Sequence, residues 1–239
     1  MPTRRNFLTA TTAVGAAALL SQKAAADQHE ETAIAAPAPS DLSPDEALAL
    51  LEEGNRKFLA GERAAPLSDA QRRLELARGQ APFAAYVTCS DSRVPPELLF
   101  GRGLGELFII RNAGNTVDTV ALGSIEYAVA ELKVPLVVVM GHERCGAVSA
   151  AAKVVTDNAT FPGSIGRMVE PIIPAVLKAQ GQDGDLVENS VRENVRRVVE
   201  QLRSQTDPLM LDPQRAGTLK VVGAYYDLDS GSVDFFDRP

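Results

Sequence analysis

The chain has 239 residues, 45% of them hydrophobic and 23% charged, a balance that lets a globular protein bury one sizeable core. Its net charge of -7 supplies no basic field for a phosphate backbone, which argues against nucleic acid as a partner. No apolar run reaches the roughly 18 residues of a membrane-spanning helix, so no stable membrane insertion is expected once the apolar N-terminal stretch is removed.

Thr3-Arg4-Arg5-Asn6-Phe7-Leu8 sets two arginines before a mildly apolar stretch from Thr9 to Leu20, and Ala24-Ala25-Ala26 offers small residues to a peptidase. This order resembles a twin-arginine export signal, with Thr9 where a lysine is common. The expected organisation is an export signal over residues 1–26, a flexible linker rich in Ala, Pro and acidic residues over 27–42, and one domain over 43–239. The mature protein is then periplasmic or otherwise exported. His29 falls in the linker without a ligating partner at a useful spacing and is read as a solvated side chain.

Ser43-Pro44-Asp45-Glu46 carries the signature of a helix start, a capping serine, proline at the first turn and two acids, and predicts a helix to about Ala60. A second helix is expected over 68–78. Short β-rich runs follow at 83–89, 107–111, 135–141, 218–225 and 233–236, most of them apolar throughout. Helical patterns lie between them at 117–132, 146–155, 165–179 and 186–204. Strands alternating with helices predict an α/β fold with a mainly parallel central β-sheet flanked by helices and an N-terminal helical arm. Ligands of such sheets gather beyond the carboxyl ends of the strands.

Two predicted strands end in chemically loaded segments, Cys89-Ser90-Asp91-Ser92-Arg93 and His142-Glu143-Arg144-Cys145-Gly146. Both cysteines of the chain and the one histidine beyond the linker stand there. Two thiolates and an imidazole are three zinc ligands, and a catalytic tetrahedral site uses three protein ligands and leaves a fourth position free. A Cys89–Cys145 disulfide is the alternative that an oxidising compartment permits. Gly101, Gly103 and Gly105 are read as turn residues, because no strand leads through them into a helix as a phosphate cradle requires.

The motif pair Cys-x-Asp-x-Arg and His-x-x-Cys resembles that of the β-carbonic anhydrases. The similarity runs on through Gly105 to Asn115, Ser124 to Val129 and Gly223 to Asp227, covering the chain from about residue 45 to its end. The resemblance implies zinc held by Cys89, His142 and Cys145, with Asp91 and Arg93 as the catalytic dyad. It implies reversible hydration of carbon dioxide to bicarbonate and a proton by hydroxide generated at the metal. Asp91 swung onto the zinc would be a fourth ligand in an inactive state. Gln80, Phe108, Tyr127, Val94 and Gly146 are implied as the substrate-binding wall, in part across a subunit boundary, and a homodimer or tetramer is expected. Some relatives hold bicarbonate at a second, inhibitory site. Here Arg111 and Tyr226 fall at suitable positions, but Tyr86 stands where that site has tryptophan. Glu143 and Arg144 are read as loop surface. Carbon disulfide or carbonyl sulfide as substrate, zinc storage and thiol redox chemistry are the competing functions; the Asp91–Arg93 dyad speaks against storage, and the distant cysteines against redox chemistry.

Overall fold

The computed structural model describes residues 37–62 and 68–239. The expected export signal, most of the expected linker and His29 lie outside the described residues; residues 37–42 carry no regular secondary structure.

Helix α1 spans Pro44–Leu59. Ser43 Oγ accepts the Glu46 amide at 3.3 Å and the Glu46 carboxylate accepts the Ser43 amide at 2.8 Å, a reciprocal cap that satisfies two backbone donors with no helical partner. Ala47, Leu48 and Leu51 recur along one stripe and are buried in the chain's own core, so a partner subunit could meet only the other faces of this helix. Asn55, buried on the same side, donates to the Gly231 carbonyl at 3.0 Å and accepts the Val233 amide at 2.9 Å. Those two bonds tie α1 to the far end of the chain. Helix α2, Ala70–Leu76, starts from an Asp69 cap and buries none of its residues.

The sheet contains β1 (Ala84–Cys89), β2 (Leu107–Asn112), β3 (Leu136–His142), β4 (Lys220–Tyr226) and β5 (Val233–Asp237). Its order is β2-β1-β3-β4-β5. The first four strands are mutually parallel and β5 runs antiparallel to β4. Every residue of β1 and β3 is buried. Such strands carry apolar side chains on both faces because helices cover both, which explains their unbroken hydrophobic runs.

The connecting helices are α3 (Pro96–Leu99), α4 (Thr119–Ala130), α5 (Gly146–Asp157), α6 (Ser164–Val169), α7 (Ile173–Ala179), α8 (Leu186–Arg203) and α9 (Pro208–Arg215). One core joins β1 and β3 residues such as Tyr86 and Val138 to α1, α5 and α7. The other, on the opposite face, packs Val87, Val137 and Val139 beneath α4, α8 and α9. Where the periodicity over 165–179 predicts one helix, the structure has α6, a short 3-10 turn at Glu170–Ile172 and α7. Pro171 and Pro174 cannot donate to the preceding turn, so the ladder breaks there. Helices α3 and α9 were not expected; both begin with proline at the first helical turn, and α9 has an Asp207 cap.

The chain leaves β1 for β2 on one side and then crosses to β3 on the other. The carboxyl ends of β1 and β3 therefore flank the point where strand order reverses, the crevice in which ligands of open α/β sheets are found.

Candidate metal centre

Cys89 is the last residue of β1 and His142 the last of β3, neighbouring strands paired from Ala85 with Val137 to Thr88 with Met140. Beyond His142 the chain turns tightly. Arg144 adopts a left-handed conformation, φ 51°, and Cys145 becomes the residue that caps α5. The cysteine sulfurs are thereby 4.0 Å apart with both thiols free. One ligand atom each from Cys89, His142 and Cys145 lies within 4.8 Å of the others, and all three residues are buried.

The donor set has the chemistry of a metal site. His142 Nδ1 lies 2.9 Å from the Glu143 carbonyl, an acceptor, so Nδ1 carries the proton and Nε2 presents its lone pair. Nε2 is buried and has no hydrogen-bond partner. A bare imidazole nitrogen facing two sulfurs is costly in a packed interior unless something binds it. The Cys89 thiol is drawn down to about 4 by the Cys145 thiol, against burial, with help from His142 and from backbone amides of Gly114 and Asp91. The same sulfur contact and burial push Cys145 well above the usual thiol range. The two shifts run in opposite directions because one buried sulfur can donate to the other, and metal ligation would require both as thiolates. These residues fit zinc, whose tetrahedral sites take thiolate and imidazole ligands.

Asp91 sits on the turn leaving β1. Its Oδ1 accepts from the Arg93 amide and from Arg93 Nε, each at 2.9 Å, and its Oδ2 accepts from Arg93 Nη2 at 2.8 Å. The Arg93 guanidinium thus holds the carboxyl well below the usual carboxylate range, burial opposing it only in part. Oδ2 remains 3.9 Å from His142 Nε2, so the carboxylate borders the three ligands while engaged with Arg93.

Of the residues singled out in the sequence, the structure brings together Cys89, Asp91, Arg93, His142 and Cys145. Gly146 follows Cys145 at the start of α5, where a Cβ would meet open space, and buried Val94 donates its amide to the Asp91 carbonyl at 3.2 Å. None of the hydrogen bonds or ligand contacts just described involves Phe108 or Tyr127. Their rings pack on each other, centroids 6.1 Å apart, with Phe108 against the opposite core and Tyr127 48% exposed. Gln80 is exposed as well.

Three other residues brace the site, two through main-chain groups and one through an ion pair. Arg111 donates through Nε to the Cys89 carbonyl at 2.9 Å and through Nη2 to the Asp91 carbonyl at 2.6 Å, fastening both ends of the turn. Glu143 accepts the Leu228 amide at 3.0 Å, and Arg144 pairs with Asp229, so the ligand loop is tethered to the β4–β5 turn. These two do more than line a surface. Tyr86 is fully buried, its hydroxyl directed to Met140 Sδ at 3.0 Å. The sequence marks Arg111 for another role, a bicarbonate site, and Glu143 and Arg144 as loop surface alone. Roles exercised through main-chain carbonyls leave no spacing pattern to read.

The carbonic anhydrase family model matches residues 84–233, the stretch from the start of β1 to the start of β5 that contains both motifs. The chain belongs to the β-carbonic anhydrase family. Carbonic anhydrase 2 of Mycobacterium tuberculosis is 39% identical over 199 residues, covering 83% of this chain and 95% of that protein. One of two tetrameric β-carbonic anhydrases of Sordaria macrospora superposes with a TM-score of 0.60 at 29% identity, over 68% of this chain and 84% of that one. The Coccomyxa β-carbonic anhydrase in complex with acetazolamide gives a TM-score of 0.60 at 29% identity, over 79% and 86%.

Proposed function

We propose that this β-carbonic anhydrase hydrates carbon dioxide reversibly to bicarbonate and a proton, with zinc held by Cys89, His142 and Cys145. The observation that carries the reading is the buried, unpartnered His142 Nε2 facing two free sulfurs beside a carboxylate already fixed by arginine. When bound, zinc supplies the Lewis acidity that makes water a nucleophile near neutral pH.

The chain's own groups do the rest. Arg93 keeps Asp91 ionised and oriented, so the carboxylate accepts a hydrogen bond from the attacking water and aims its lone pair at the substrate carbon. The Glu143 carbonyl fixes the His142 ring and its tautomer. Arg111 keeps Cys89 and Asp91 at a set separation. Val94 and the open side of Gly146 give an apolar approach suited to a small linear substrate.

Phe108, Tyr127 and Gln80 complete the wall from a second copy, as dimer or tetramer. Exposed Leu98, Leu104 and Val120 supply apolar surface for such contact. The domain spans 43–239, and residues 1–26, with their arginine pair, direct it to the periplasm or another exported location. The test of the reaction is carbon dioxide hydration by the zinc-loaded protein. Hydration that disappears with the metal and returns with it supports the reading, and a zinc-loaded protein inert toward carbon dioxide refutes it.

A further inference from the structure

Asn194 is 1% exposed on α8, inside the apolar stripe formed by Val191, Val195 and Val198. An aliphatic residue would pack there without desolvating an amide, so the asparagine needs another explanation. Its Nδ2 reaches across to the turn after β2 and donates to the Gly114 carbonyl at 2.8 Å. Gly114 in turn donates its own amide to Cys89 Sγ at 3.4 Å. The turn has little freedom to do otherwise. Gly114 has φ 79°, and a Cβ on it would lie 2.6 Å from Ile172 Cδ1 and 3.2 Å from Ala147 Cβ.

We propose that Asn194 is a positioning residue for the metal centre. By holding the Gly114 carbonyl it keeps the Gly114 N–H aimed at the Cys89 sulfur, and that bond withdraws charge from a thiolate ligand. The inference rests on the reading of Cys89 as a metal ligand. Two thiolates donate much charge to zinc and weaken it as a Lewis acid; an amide proton on one sulfur offsets part of that donation. Asn194 thus adjusts the electrophilicity of the centre through the geometry of one peptide.

The test uses full-chain protein loaded with cobalt(II), whose sulfur-to-metal charge-transfer band reports charge on the thiolates. Asn194→Leu, of similar volume but without a donor, and Asn194→Ala should both move the band to longer wavelength. They should also lower zinc affinity, read by chelator competition, about tenfold or more. Ser190→Ala is the control: it lies one turn earlier on α8, is equally buried, and loses only a bond to Leu186 O. Its band should stay where the parent's is. In the parent loaded with cadmium-113, a scalar coupling between the metal and the Gly114 amide proton is expected, and this measurement needs no variant to fold. An uncoupled Gly114 amide, or a folded Asn194→Leu protein with the parent's band and zinc affinity, overturns the inference and leaves the metal site standing. A parent chain that binds neither metal overturns the metal-site reading itself.

Discussion

Asp91 touches no ligand-bearing side chain closely enough to hold it in place; Arg93 does that work from two residues away. Asp91→Ala should therefore keep about one zinc per chain while hydration falls about a hundredfold or more, measured by metal analysis and stopped-flow on the same sample. Cys145→Ser should instead lose the metal, because one of two buried sulfurs is gone. The residue types of the centre were legible in the sequence, since zinc chemistry restricts ligands to few side chains and the strand ends placed them. Asn194 and the clamping role of Arg111 were not. Each acts on a main-chain carbonyl far away in sequence, and such a contact exists only once the sheet is assembled. The polar residue on an apolar helical stripe was the one visible trace of Asn194.

At the scale of elements, α8 lies directly on β3 at Gly141, where a Cβ would come within 2.6 Å of Val191 Cγ1 and 2.9 Å of Val195 Cγ2. Gly141→Ala should cost about 1–3 kcal/mol in urea unfolding by forcing the helix off the strand next to His142. On α8, buried Glu193 meets Lys178 at 2.9 Å and Arg196 at 2.8 Å. Burial works to raise its pKa, but hydrogen bonds from Lys178 and Gln182 and the charges of Lys178 and Arg196 outweigh it and hold it below the ordinary 4.5. A carboxyl lowered on folding stabilises the folded state above its unfolded value and loses that contribution as pH falls through the folded one. Relative to Glu193→Gln, the parent should thus lose stability below about pH 4.5, seen in thermal unfolding across the acid range. The strands and longer helices could be read from periodicity, whereas α3 and α9 could not. Each starts with proline in its first turn, α9 behind an Asp207 cap, but neither shows an apolar stripe that separates it from a loop.

For the whole molecule, the proposed second copy has a kinetic consequence. If a partner supplies Phe108, Tyr127 and Gln80, dilution into the dissociated range should lower kcat/KM while zinc stays bound, since one chain holds all three ligands itself. Sedimentation at matched concentrations would show whether activity follows assembly. The proposed export has its own test: replacing Arg4 and Arg5 together by lysine should leave the protein in the cytoplasm, read by fractionation. The measurement that bears most directly on function is stopped-flow hydration of carbon dioxide by the purified protein from about pH 6.5 to 9, with zinc content determined on the same sample. Hydration that rises with pH at about one zinc per chain, vanishes on chelation and returns with zinc is the expected result. One zinc per chain without hydration at any pH in that range would contradict it, leaving a metal site whose dyad serves another substrate.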